Sequence, residues 1–468
     1  MLANTQAPLL ENATRDLAAF AAALRFEDIP AAVVARIKWS VLDSIGCCLF
    51  GATLPWTKKV AAMVEAEGAR PVVSLMGMGR KTSPALAVLV NGTAGHAFEL
   101  DDIHKESIVH AGTLATPVAL AFAEMRPGFS GRDVITAMVA GYEIGTRVGN
   151  AATMRLFFGG FHPQGTSGAF VAAATAARAL ALNAEQFQHT LGIVGSQAGG
   201  LMAAQEGAMV KRFHCGRAAQ SGIYSALLAQ SGFTGITDVL EAPYGGYLSS
   251  YSDQPNPARL TDGLGSTWET LNVGYKPHAS VTSIHTALDG LAGIMREQKL
   301  VADDIARVEV GMSQMTYVHC AWEYRSQGVT AAQMNLSYGL AVIALDGVAF
   351  TDQYREDRLL DPRILSFIQR VHAYVDPTIE SRGAALRHAA RVKVIANDGR
   401  SFEKMLDDRR GSPENPLQQG DLENKFRHVT RSCLSAAHIE RVIALADSLD
   451  RLSDMSELIN IIVAPAPA

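Results

Sequence analysis

Between Gly165 and Gly200 the chain carries few charges and consists largely of alanine, glycine and aliphatic side chains. A stretch this apolar is not all solvent-facing, so the fold must be large enough to cover whole helices. Gly165 and Gly168 bracket Thr166-Ser167, and Gly195, Gly199 and Gly200 flank Ala198. Glycine within a helix costs roughly 1 kcal/mol against alanine; close packing of helix backbones is the simplest compensation. The same surplus of apolar helix predicts a homodimer formed through the helical part of the chain.

The first 240 residues read mostly as helix. Leu17, Phe20, Ala21 and Leu24 follow helical spacing, with Asn12 as a candidate cap. Pro30 opens a second run that Gly51 should stop, and Pro71–Met76 is a short β-like interruption. Further helices are expected at Pro84–Ala97, Thr116–Glu124, Gly131–Val148, Thr166–Leu182, Ala184–Leu201 and Ala218–Gln230. The helices differ in length and pattern, which argues against a solenoid.

Near residue 265 the character changes. A helix is expected at Ser280–Glu297, a strand at Ile305–Met312, a helix at Thr330–Leu345 and an apolar periodicity at Arg363–Val375. Ala390–Ala396 and Ser401–Leu406, joined through Asn397-Asp398-Gly399, form a β-hairpin. Helix returns at Asp421–Phe426 and Ala436–Leu449 after a polar break at Gly411–Gly420. The fold class is mainly α with a smaller α+β domain. Both chain ends, residues 1–266 and 411–468, build a large all-α domain, and residues 267–410 are an inserted α+β lid.

Several functions are excluded early. Lys plus Arg is 41 and Asp plus Glu is 46, a net charge of −5, whereas nucleic-acid binding needs a basic surface. Apolar stretches such as Val171–Leu182 are interrupted by Thr175 or Arg178 well short of the roughly 20 residues of a membrane span. Residues 1–11 show no secretory signal. Cys47, Cys48, Cys215, Cys320 and Cys433 lack CxxC spacing, so neither a disulfide framework nor a structural zinc site is expected. The expected compartment is reducing, hence cytoplasmic. No phosphate-binding loop, dinucleotide fingerprint, HExxH or nucleophile elbow is present, and no cofactor or metal is expected.

Four segments place ionisable residues inside apolar surroundings. In Asn91–Asp102, Glu99, Asp101 and Asp102 crowd together near His96, with His104 and His110 following. This is either a solvated carboxylate-rich loop or a pocket wall whose carboxylates orient histidines. His162 precedes a helix in a glycine-flanked loop where packing demand is small; it is either a loop histidine or part of an anion site. Lys211, Arg212, His214 and Arg217 cluster where a helix begins, against the usual dipole preference, which suits a di- or tricarboxylate. Lys276, with His278 and His285 beyond it, is either a solvated linker lysine or a further cation reaching across a cleft.

These segments, in this order, resemble the MmgE/PrpD family. Further matches are Leu42-Asp-Ser-Ile-Gly46, Gly141-Tyr-Glu-Ile-Gly145, Ser337-Tyr338, and Asn415-Pro416 before Lys425-Phe426. The resemblance implies a homodimer with an active site between a helical domain and a lid, using neither metal nor organic cofactor. It implies reactions on small polycarboxylates: dehydration of 2-methylcitrate, decarboxylation of cis-aconitate or epimerisation of iminodisuccinate. By motif it carries catalytic roles to Asp101, His110, His162, Lys211 and Tyr338. Asp102, His214, Arg217, Lys276 and His285 are the expected substrate-binding residues.

Ile103 stands where the acidic motif commonly continues with Thr, His278 where Tyr is frequent, and Val281 where some members are polar, so the individual substrate does not carry over. The reactions share a carbanion or enediolate beside a carboxylate, which fixed cations must stabilise. A cofactor-independent hydro-lyase acting on a small di- or tricarboxylate is the leading expectation. An epimerase or decarboxylase using the same intermediate comes next, and a catalytically silent polycarboxylate-binding paralogue after that.

Overall fold

The computed structural model describes residues 11–463. The segment through Leu10, on which the reading of no secretory signal mainly rests, lies outside the described residues. The chain is mainly helical, with small sheets only. No helix among the described residues is long and apolar enough to cross a membrane.

The glycine-rich helices occupy the centre of the large helical part, and their glycines lie where backbones cross. Helix Val210–Gln230 crosses Pro84–Gly95 so closely that a Cβ on Gly216 would lie 2.1 Å from the Leu89 carbonyl oxygen. On its other side a Cβ on Gly222 would meet Ala172 at 2.6 Å, and one on Gly145 would lie 2.1 Å from Val171 Cγ2. Ser167–Ala179 is thus clasped between Gly131–Phe158 and Val210–Gln230. Covered on several sides, these helices need no single apolar stripe.

The C-terminal helices Gln419–Thr430, Ala436–Asp447 and Ser456–Val463 return to this core. Phe426 and Val429 press on Gly46 of helix Ala31–Ala52, and the Gly77 amide donates to the Ile462 carbonyl at 2.8 Å. Between them lies a second core around a four-stranded sheet. Its order is Val371–Val375, Ile305–Met312, Ala390–Ala396, Ser401–Leu406, with the first pair parallel and the others antiparallel. Ala390–Ala396 alternates strictly between buried and half-buried, and His285–Gln298 covers the buried face beside Leu336–Asp346. The hairpin forms as the Asp-Gly pair dictates: Gly399 has φ +86° and its amide donates to the Ala396 carbonyl at 3.0 Å.

Several expected elements differ, each for a local reason. Asn12 flanks the first helix but sits at φ 68° with no side-chain cap. Gly51 does not stop its helix, which runs to Ala52. The helix expected through Leu201 ends at Gly195, and the following glycines bend so that the Gly200 carbonyl accepts from the His162 amide. Asn335 divides Thr330–Leu345 in two, its side chain capping the second half by accepting from the Tyr338 amide. The periodicity at Arg363–Val375 is a short helix, Pro362–Ile368, followed by an edge strand.

Replacing Gly216 with Ala therefore forces the two helices apart and should cost about 1–3 kcal/mol in urea unfolding. The control is Gly420→Ala, where a Cβ meets nothing within 4 Å, and it should be neutral or slightly stabilising.

Candidate active site

Helix Pro84–Gly95 ends at His96, and the chain then winds through residues 97–102. Glu99 adopts φ +55°, uncommon for a non-glycine residue, which turns its neighbours into different surroundings. The three carboxylates are not solvated: Glu99 is 3% exposed, and Asp101 and Asp102 are 0%. Each escapes the others by having its own partners.

Glu99 is the centre of a cation cluster. Its Oε1 accepts from Lys211 Nζ and, at 2.5 Å, from Arg212 Nη1; its Oε2 lies 3.2 Å from Lys276 Nζ. Burial alone would raise the Glu99 pKa, but Lys211, Lys276 and Arg212 together hold it well below the carboxylate range. Burial also lowers Lys211, against the pull of Glu99, to about 8. One carboxylate among three cations leaves a net positive charge inside the protein.

Asp101 serves the histidines. Its Oδ2 lies 2.7 Å from His96 Nδ1 and 3.3 Å from His110 Nδ1, while Oδ1 is 4.0 Å from Lys276 Nζ. Burial pushes Asp101 up, yet the two imidazoles more than reverse this and keep it well below its usual range. From His110 the rings continue in contact: His96 at 4.8 Å, His162 at 5.6 Å from His96, and His214 at 5.1 Å from His162. His162 and His214 share a hydrogen bond between their Nδ1 atoms at 2.9 Å. Burial lowers His96 to about 4, and burial with the Lys211 charge lowers His162 well below its ordinary value. The expectation of small packing demand at His162 is thus corrected: the ring is wedged between two others and is 6% exposed.

Several of these groups line a small chamber with a cavity volume of about 70 Å³. Four cationic side chains line it, Lys105, Lys211, Lys276 and Arg387, against the single carboxylate of Glu99. His110, His162, His319 and His388 line it too, among apolar residues including Ile103, Ile108, Met202 and Val281. Lys211 and His214 lie within the first turns of Val210–Gln230, which starts eight residues before the expected helix.

Five expected residues, Asp101, His110, His162, Lys211 and Lys276, come together here, with His214 behind His162. Of these, His110, His162, Lys211 and Lys276 line the chamber itself, with Asp101 behind His110; the other four expected residues lie away from the cluster. Asp102 accepts from the Gly112 amide at 3.0 Å and the Tyr142 hydroxyl at 2.7 Å within the helical core, where burial raises its pKa to about 7. Arg217, one turn beyond His214, is exposed and donates to Gln220. The Tyr338 hydroxyl donates to the Gln353 carbonyl at 2.8 Å, its ring packed between Tyr324 and Tyr354. His285 is fully buried, with Nε2 3.1 Å from the Ser280 carbonyl oxygen.

Glu99, His96 and Arg212 lie inside the sequence motifs but are not among the expected site residues. Arg387 and His388 carried no pattern at all. Among the described residues His96, Asp101 and His110 are the set whose ligand atoms lie close enough for a metal, within 4.8 Å of one another. Donors bound at 2.0–2.2 Å to a tetrahedral ion stand about 3.3 Å apart. The 2.7 Å between Asp101 and His96 is instead a direct hydrogen bond, so this pair fits a relay better than a chelate.

The depressed histidines tie stability to pH. An unfolded histidine takes a proton near pH 6.5, whereas His96 resists to about 4 and His162 is shifted the same way. Their contribution is complete above pH 6.5 and is lost as pH falls below it, for His96 through the window from 6.5 to about 4. Melting temperature should fall across that window, and His162→Gln should flatten the fall. An unchanged slope in the variant would count against this pairing.

Two family models match: the MmgE/PrpD N-terminal domain over residues 15–259 and the MmgE/PrpD C-terminal domain over residues 278–451. A cis-aconitate decarboxylase-like protein of Aspergillus oryzae is 31% identical, the match covering 96% of this chain and 97% of that one. Cis-aconitate decarboxylase of Aspergillus terreus is 31% identical over 97% of this chain and 96% of its own. The Homo sapiens cis-aconitate decarboxylase is 26% identical over 98% of this chain and 96% of its own. The chain belongs to the MmgE/PrpD family and is a lyase of that type.

Proposed function

We propose that the protein is a cofactor-independent decarboxylase of a cis-aconitate-like tricarboxylate. The observation that carries this reading is the pair of buried lysines, Lys211 and Lys276, held by Glu99 at the chamber wall beside buried histidines. A small polycarboxylate suits this wall, because carboxylates match lysine ammonium donors in a site screened from water. The choice of decarboxylation rests on the names of the full-length relatives. It replaces the hydro-lyase as first reading, because the same cations would stabilise either intermediate.

In this reading Lys276 and Lys211 hold substrate carboxylates, with Glu99 fixing both ammonium groups. Cleavage of a carbon–carbon bond releases CO2 and leaves its electron pair on the carbon skeleton, delocalised into a neighbouring carboxylate. One proton then closes the new C–H bond, so each CO2 released consumes one proton from solution. His110, aligned by Asp101, is the proposed proton donor, and His162 with His214 the proposed path that resupplies it. His96, which shares the Asp101 oxygen with His110, is proposed to hold that carboxylate in place.

Two further properties belong to the proposal. The five cysteines are all buried and unpaired, which supports a reducing, cytoplasmic location. A homodimer through the helical part is supported by the exposed Leu201, Tyr224, Leu228 and Phe233. Light scattering at micromolar concentration should give twice the chain mass.

The function is tested by NMR with cis-aconitate, citrate, 2-methylcitrate and iminodisuccinate supplied separately. The expected result is CO2 and an unsaturated five-carbon dicarboxylate from cis-aconitate, undiminished after exhaustive chelation. A new alkene from citrate or 2-methylcitrate would restore the hydro-lyase, proton exchange alone the epimerase, and binding without turnover the silent paralogue.

A second test uses pH. Because Lys211 loses its proton near 8, KM should rise as pH climbs through 8. Lys211→Met should raise KM about tenfold or more at pH 7 and abolish that dependence.

A further inference from the structure

Beyond the charged chamber lies a wider, largely apolar space of about 760 Å³, and the two share Phe157, Gln205, Met315, His319 and Met334 as common wall. Its outer wall is Phe158, Val318 and Trp322; Glu380 is the one charged residue lining it. Phe158 is 58% exposed and Val318 67% exposed. Exposed apolar side chains converging on the mouth of a catalytic chamber are out of keeping with a substrate that is charged throughout. The carboxylates of a bare tricarboxylate meet cations only at the inner chamber, whereas this outer space offers them apolar walls and one carboxylate.

We propose that the vestibule receives an apolar substituent of the substrate, so that the preferred substrates are tricarboxylates bearing an alkyl chain. This rests on the polycarboxylate reading of the inner chamber and extends it. The carboxylates are held at depth by Lys211 and Lys276, and the chain leaves past Met315 and Met334 to lie against Phe157, Phe158 and Val318. The division of labour is physical: the cations gain by being screened from water, and the alkyl chain gains by leaving it. The vestibule's width sets no sharp limit on chain length, and methionine side chains adapt to different shapes.

The test compares cis-aconitate with analogues carrying methyl, butyl and hexyl groups on the methylene carbon. Binding and kcat/KM for CO2 release are measured for each. Affinity should rise by about fourfold for each methylene that reaches the vestibule. The double variant Phe158→Ser with Val318→Ser should remove most of that rise while leaving kcat/KM for unsubstituted cis-aconitate unchanged.

If cis-aconitate is turned over and the alkylated series shows no gain, the proposal is overturned and the polycarboxylate reading stands. If neither series binds, the reading of the inner chamber fails, and the proposal fails with it. If the double variant changes the oligomeric state in light scattering, the patch belongs to an interface between copies, which also overturns it.

Discussion

A buried carboxylate surrounded by three buried cations organises this molecule. Glu99 sits among Lys211 from the Val210–Gln230 helix, Arg212 beside it, and Lys276 from the segment leading into the sheet-containing part. Desolvating these groups costs several kcal/mol per ion, and all three cations share the one Glu99 carboxylate to offset it. Arg212 is further tied by Nη2 to Thr330 Oγ1 and Gln333 Oε1, each at 3.3 Å, joining the same cluster to the second core. The excess positive charge is what makes the chamber a place for a polyanion.

The scaffold explains how such a cluster can be held. The glycine crossings at Gly216 and Gly222 let Val210–Gln230 sink between its neighbours, carrying Lys211 and Arg212 into the interior. The returning C-terminal helix supports the opposite side. Lys425 Nζ donates to the Leu100 carbonyl at 2.5 Å and pairs with Asp43 Oδ1 at 2.6 Å, anchoring the backbone between Glu99 and Asp101. Packing of small residues and placement of charge are therefore one design, with the chain's two ends brought to the same loop.

Much of this was legible in the sequence where local chemistry dictates structure. The Asp-Gly hairpin at 390–406 and the strand Ile305–Met312 form as read, because turn geometry and alternation are local properties. Asp101, His110, His162, Lys211 and Lys276 were recognisable as charges in apolar company. What could not be read is direction. Arg217 is only six residues from Lys211, but helical rotation turns it to solvent. Tyr338 and His285 lie in apt motifs, yet the Tyr338 hydroxyl and His285 Nε2 meet backbone carbonyls beside the second core. Arg387 and His388 reach the chamber through tertiary folding alone, from a short irregular segment with no periodicity to announce them. Glu99 was hidden by its neighbours: three carboxylates in four positions suggest repulsion, and only the left-handed turn at Glu99 separates their environments.

The central claim is that the cation cluster around Glu99 is a polycarboxylate site, and calorimetric titration with tricarballylate, a saturated and unreactive tricarboxylate, tests it without depending on turnover. The account predicts saturable binding of one ligand per chain that weakens about tenfold or more in Lys276→Met, where one charge-assisted contact is removed. Absence of binding to the unmodified protein, or equal affinity in the variant, would contradict it.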